Sequence, residues 1–376
     1  MKFILLFFFI LLKITNVYAI DTKAEQAIVI DFLTSEVIFE KNSDQQIIPA
    51  SMTKILTIYV AFDMLKNTDL TIDSLCNISP KAYRMGGSRT FLEIDDKVSI
   101  NDLLNGIIVQ SGNDASVALA ECLAGTEEDF AKLMNIYANK LGMKNSNFIN
   151  SSGWPDDNHY STVKDIAILS NSLIKEFPTM YALFSKKTFT YNSIKQPNRN
   201  KLLNSVLGAD GLKTGFTRAS GWAIAGSAIR NNRRITVCIS GTNSSRSRLN
   251  ESSSLINWAF SQTSQKTLIK KNQIIKNIDV WLGNKATVNM VASQDYLSIL
   301  SYDQIASIET NIEYEKPLSA PINEGQKIGT MNIKISGKPK IIIPLVAENN
   351  INKINPFMRI FAAIKYLIFG TSLDEV

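Results

Sequence analysis

The segment Pro49-Ala50-Ser51-Met52-Thr53-Lys54-Ile55-Leu56 holds a hydroxyl and an amine at a spacing that could do chemistry. A serine hydroxyl is a poor nucleophile until a nearby base takes its proton. Lysine can be that base if its amine is neutral, which burial or a second cation brings about by depressing its pKa. Ser51 and Lys54 stand one helical turn apart, so a helix sets them on one face. The spacing alone does not decide, because Ser-x-x-Lys recurs at Ser161 with Lys164 and at Ser172 with Lys175. The plain alternative is an N-cap serine followed by a surface lysine. The surroundings separate the three copies. In SMTKILTIYVAFDMLKN, residues 51–67, apolar side chains run almost all round, as in a helix buried at a domain centre. The other two copies lie in more amphipathic stretches, where the lysine stays solvated.

A second cation is available in Lys213-Thr214-Gly215, the chain's single Lys-Thr-Gly. A strand ending this way offers an ammonium, a hydroxyl and a glycine that lets a substrate backbone approach. Between the two, Ser111-Gly112-Asn113 supplies another hydroxyl and an amide. Ser99-Ile100-Asn101 matches the same pattern but reads as a helix start. The one histidine, His159, lies at a turn-to-helix junction, and no Gly-x-Ser-x-Gly elbow accompanies it. No His/Cys/Asp cluster has metal-ligand spacing, and no cofactor is implied.

The elements that must position these groups can be read coarsely. Residues 26–42 alternate on both sides of Leu33-Thr34-Ser35, as in a hairpin. Residues 101–175 read mostly as helices, 210–240 as three strands, and 250–262 as a closing helix. Strands at both ends with helices between predict an α/β domain with a mixed, antiparallel sheet over residues 20–263. Residues 264–347 alternate short β-rich runs with Lys/Asn/Gly turns and predict a small all-β domain. Residues 348–376 read as a polar linker and an amphipathic helix. In it Phe357, Ile360, Phe361, Ile364, Leu367 and Ile368 share one face. About fourteen helical residues span about 21 Å, too short to cross about 30 Å of hydrocarbon, so the helix suits lying in a membrane interface. The plainer reading docks it on the protein's own core.

Residues 1–19 combine Lys2, an apolar run from Phe3 to Leu12 and a Val17-Tyr18-Ala19 ending, which predicts a removable secretory signal. Cys76, Cys122 and Cys238 are odd in number and widely spaced, and read as buried single thiols rather than a disulfide framework. Forty basic residues face 34 acidic ones, and the signal carries two of the lysines. The mild excess suits a neighbourhood of anionic membrane or wall polymer, and no basic block points to nucleic acid.

Taken in order, the three motifs resemble the penicillin-binding proteins and serine β-lactamases. The longer phrases PASMTKILT, GSRTFLEIDDKVSINDLLNGIIVQSGNDAS, NHYSTVKDIAIL, NRNKLL, DGLKTGFTRASGW and APINEGQKIG are similar to the low-molecular-mass D-alanyl-D-alanine carboxypeptidases. The resemblance runs from about residue 24 to the tail helix. It implies that Ser51 attacks the penultimate D-alanine carbonyl of a peptidoglycan stem peptide while Lys54 takes its proton. It further implies that Ser111 and Asn113 relay protons and grip the substrate amide, and that Lys213 and Thr214 engage the terminal carboxylate. The amides of Ser51 and Phe216 would form the oxyanion hole. Arg199 and Arg248 are candidates for the carboxylate side, with surface ion pairs as their plainer reading. β-Lactams are expected to acylate Ser51, and the enzyme is expected on the periplasmic side of the cytoplasmic membrane, held peripherally by its last helix.

Two positions depart from the family's usual pattern, while His159 matches its phrase. Phe216 stands where a polar residue or histidine is frequent, which puts a side-chain role there in doubt. Trp154 replaces a smaller apolar residue, a packing change, and His159 is expected to be structural. The rivals are a β-lactamase, a D,D-endopeptidase or transpeptidase on the same machinery, and an inactive wall-binding module.

Overall fold

The structure, a computed structural model, describes residues 20–369; the secretory-signal reading of residues 1–19 lies outside them. Strands β1 (Gln26–Asp31) and β2 (Val37–Lys41) form the expected hairpin. Asp31 closes its turn by accepting from the Leu33 and Thr34 amides. Strands β3 (Ala209–Thr217), β4 (Gly221–Arg230) and β5 (Arg233–Thr242) complete an antiparallel sheet in the order β2-β1-β5-β4-β3.

Strand alternation gives this sheet two apolar faces. Ile28, Ile30, Ala225 and Cys238 point into a helical layer, whereas Ala27, Val29, Val237 and Ile239 face the opposite way. The helical layer comprises α1 (Lys54–Asn67), α2 (Asn113–Ala124), α3 (Glu127–Leu141) and α4 (Val163–Glu176). Thr126 and Thr162 cap α3 and α4 by accepting from the amides three residues on. Helix α5 (Ser245–Gln262) covers the other face with Leu255, Ile256 and Ala259. In α1 every residue from Lys54 to Phe62 is buried, which explains an apolar pattern with no polar side.

The cysteine reading needs correction. Cys76 and Cys122 form a disulfide, with Cα atoms 5.4 Å apart, and only Cys238 is a buried free thiol. The short strand Leu75–Asn77 packs beside α2, so two cysteines 46 positions apart become neighbours through tertiary packing. Nothing in their spacing announced it.

From Thr263 onward the chain builds an all-β unit. Its six-stranded sheet has the order Glu309–Glu313, Lys327–Lys334, Ile341–Ala347, Thr287–Ala292, Ile274–Trp281, Leu318–Ser319. Arg233 clamps the junction: Nε donates to buried Asp31 at 2.9 Å, and its Nη atoms donate to the Thr263 carbonyl and hydroxyl. Glu36, on the β1–β2 hairpin, joins the two units by pairing with Lys338 and accepting from Ser298 and the Ile299 amide.

Helix α6 (Pro356–Phe369) follows an irregular linker. Phe357 and Phe361 are 77% and 71% exposed, and Ile360 and Ile364 are exposed beside them. That half of the expected apolar face is therefore not docked on the protein's own core. Among the described residues no helix is long and apolar enough to cross a membrane.

The disulfide closes a long loop of the unfolded chain and holds the helix that begins at Asn113. Replacing Cys76 and Cys122 by serine together is expected to lower unfolding stability by about 2–4 kcal/mol. Urea unfolding of the two proteins, with and without reductant, checks this. Equal midpoints would mean that the link contributes nothing.

Candidate active site

Ser51 sits inside a one-turn 3₁₀ helix, Ala50–Thr53, that runs directly into α1, and it caps nothing. Ala50, just before it, has φ 49°, a left-handed conformation that costs a non-glycine residue about 1–2 kcal/mol. Two backbone contacts hold the turn there. A Cβ on Gly153 (φ 76°) would lie 1.8 Å from the Ala50 carbonyl oxygen, and one on Gly215 would lie 2.9 Å from that of Pro49. Only glycine permits either approach. The second contact presses the Lys-Thr-Gly strand β3 against the Ser51 turn, so the backbone of Phe216 follows directly from a residue touching that turn.

Lys54 points inward from the first residue of α1 and is fully buried. Its Nζ lies 3.1 Å from Ser51 Oγ, 2.7 Å from Asn113 Oδ1 and 2.5 Å from the Ser152 carbonyl oxygen. Burial lowers its pKa to about 7, helped by the nearby charge of Arg199, while Asp114 and Glu127 pull the other way. The cation beside Lys54 was expected to be Lys213. That lysine is itself buried and pushed well below its usual range, by desolvation first and then by Lys54, Arg199 and Arg248. The two lysines thus lower one another's affinity for a proton, as expected of two amines sharing one site.

Lys213 Nζ donates to Ser111 Oγ at 2.7 Å. Ser111 follows a π-turn, Gly106–Gln110, and sits at φ 68°, a second left-handed non-glycine in the site. Asn113 opens α2. Its amide nitrogen donates to the Gly86 carbonyl, which turns Oδ1 toward Lys54. Asp114, fully buried, accepts from the amides of Thr90, Phe91 and Leu92 and so holds the loop around Asn113. Thr214 is buried beside Lys213 on β3.

The two arginines also converge on this region, and neither makes the surface ion pair that was the plainer reading. Arg248, buried on α5, reaches the Gly215 carbonyl, and burial with the charge of Arg199 lowers its pKa to about 10. The Arg199 amide donates to Val109, two residues before Ser111. Among the described residues no carboxylate pairs with either guanidinium. The site thus brings two guanidiniums near the lysines without a matching acid at contact distance, an arrangement suited to an anionic ligand.

The alternative motif copies behave as surface features. Lys164 pairs with Asp44, Lys175 is exposed, and Ser99 caps a short helix by accepting from the Asp102 amide. His159 is buried, accepts from the Ile149 amide at Nδ1 and so donates from Nε2 to Thr53 Oγ1 at 2.8 Å. Burial lowers its pKa to about 4, so it is a neutral strut under the Ser51 turn. Trp154 is 46% exposed and lies over Gly86 and Gly87, the turn that holds Asn113. Sequence reasoning missed Ser152, Gly153 and Gly86, because two act through a carbonyl and one through a missing side chain.

Residues 13–244 match the family model described as D-alanyl-D-alanine carboxypeptidase, and 264–353 match the penicillin-binding protein 5 C-terminal domain. The D-alanyl-D-alanine carboxypeptidase DacC of Escherichia coli is 35% identical over 92% of this chain and 88% of its own length. A crystal structure of the carboxypeptidase DacD from Francisella tularensis superimposes with a TM-score of 0.79 at 30% identity. The match covers 89% of this chain and 95% of that one. Penicillin-binding protein D2 of Listeria monocytogenes, in an ampicillin-bound form, matches 65% of this chain and 99% of its own at a TM-score of 0.60 and 30% identity. With the motif residues gathered in one cleft and both units matched, the chain belongs to the D-alanyl-D-alanine carboxypeptidase family of penicillin-binding serine peptidases.

Proposed function

We propose that Ser51 is the nucleophile and Lys54 its base in removing the terminal D-alanine of peptidoglycan stem peptides. The observation that carries the assignment is the set of contacts around Lys54 Nζ. A neutral amine has two N–H groups and one lone pair. Asn113 Oδ1 and the Ser152 carbonyl accept the two N–H groups, which leaves the lone pair for the Ser51 hydroxyl proton.

Ser51 Oγ bonds to the carbonyl carbon of the penultimate D-alanine while its proton passes to Lys54. The amides of Ser51 and Phe216 stabilise the resulting oxyanion, a contribution whose loss typically costs about a hundredfold or more in rate. When the C–N bond breaks, the departing amine takes up the proton that Lys54 received, relayed by the Ser111 hydroxyl that Lys213 holds in place. D-Alanine leaves, and water hydrolyses the acyl ester to regenerate Ser51. Thr214, Arg248 and Arg199 receive the substrate's terminal carboxylate, with Gly215 giving its backbone room. β-Lactams acylate Ser51 by the same attack and act as inhibitors.

The same reading places the mature enzyme outside the cytoplasm, on the periplasmic side of the membrane. The apolar run in residues 1–19 supports export, as does a disulfide, which persists in oxidising compartments. The exposed Phe357, Ile360, Phe361 and Ile364 support insertion of α6 into the interface plane.

Purified protein is expected to release free D-alanine from diacetyl-lysyl-D-alanyl-D-alanine. Rapid turnover of penicillin without D-alanine release would identify a β-lactamase instead. Because Lys54 acts only when neutral, acylation by labelled penicillin is expected to rise with pH through about 7 and then level off. Lys54→Ala should slow this labelling by at least about a hundredfold at an unchanged unfolding midpoint. Unimpaired labelling would remove Lys54 from the mechanism. A chain ending at Asn350 is expected to lose binding to anionic lipid vesicles; retained binding would remove the tail helix as the anchor.

A further inference from the structure

Arg248 is held in an unusual way for a buried guanidinium. Its polar contacts are long, 3.5 Å to the Gly215 carbonyl and 3.4 Å to Ser245 Oγ. It lies over the Trp222 indole, with the guanidinium carbon 5.1 Å from the ring centroid. On β4, Trp222 is the cross-strand partner of Phe216, the residue after Lys-Thr-Gly. The two rings are 4.2 Å apart and tilted by 34°. Trp222 therefore touches both Arg248 and Phe216, and Phe216 is 48% exposed.

We propose that Trp222 is a positioning residue for carboxylate recognition: its indole face holds Arg248 against the Lys-Thr-Gly strand, and Phe216 shields the indole from water. A carboxylate in the same place would fix Arg248 equally well but would occupy the donors the substrate needs. An aromatic face attracts the cation while leaving its in-plane N–H donors free for a carboxylate oxygen. Excluding water from the indole strengthens the attraction, since cation–π contacts gain when desolvated. This gives the side chain of Phe216 a task at a position where the family often has a polar residue.

The inference rests on the reading that Arg248 meets the terminal carboxylate, so the experiment separates the two. The quantity to measure is the ratio of kcat/KM for diacetyl-lysyl-D-alanyl-D-alanine to that for its C-terminal amide, which lacks the charge. Trp222→Leu is expected to lower this ratio about tenfold, the size of a partly desolvated cation–π contact. Trp222→Tyr, which keeps an aromatic face, should restore most of it. In an Arg248→Ala background, Trp222→Leu should lower the ratio no further. Equal losses on acid and amide, or losses that add in the double variant, would reduce Trp222 to a packing residue and overturn the proposal. If Arg248→Ala lowers the ratio and Trp222→Leu does not, the proposal fails alone. If Arg248→Ala leaves the ratio unchanged, the carboxylate reading of Arg248 fails and takes the proposal with it.

Discussion

An amine buried without a carboxylate against it is the constraint on which the site depends. A charged Lys54 in that position would cost several kcal/mol in lost hydration, and burial accordingly lowers its pKa to about 7. The price of keeping the amine available is a shell of neutral acceptors: a carbonyl from Ser152 and an amide oxygen from Asn113. An acid placed there would have raised the amine's pKa again.

Holding that shell requires backbone geometry that few residues tolerate. Ala50 and Ser111 both occupy the left-handed region, and each adjoins or is a motif residue. Their strain persists because the surroundings over-determine it. Gly153 and Gly215 let two segments close on the Ser51 turn, and His159 braces Thr53 from below. Strain, close approach and a neutral histidine thus converge on one turn, which fixes the hydroxyl relative to the amine.

The larger architecture brings the parts to that turn from distant stretches of chain. The buried helix α1 delivers Lys54, α2 delivers Asn113, strand β3 delivers Lys213, and α5 delivers Arg248 from the opposite face of the sheet. The disulfide ties α2 to the strand Leu75–Asn77 and so steadies one of these supports. The all-β unit sits apart from the chemistry, joined through Arg233 and through Glu36 with Lys338.

Much of this was legible in the residues. The hairpin at 26–42, the all-round apolar helix, the three strands after 209 and the β-rich second unit follow from periodicity, which depends only on neighbours in sequence. The order of Ser51-x-x-Lys54, Ser111-x-Asn113 and Lys213-Thr214-Gly215 pointed to one cleft and to acyl transfer. The cysteine pair, the Ser152 carbonyl, the charge of Arg199 near Lys54, and the contact of Trp222 with Arg248 were not legible. Each is decided by where segments tens to hundreds of residues apart come to rest, and a carbonyl or a desolvated charge has no signature in residue type. The sequence by itself determined which groups exist and which local elements carry them. Tertiary structure decided how much water each group keeps, and therefore how readily each nitrogen holds its proton.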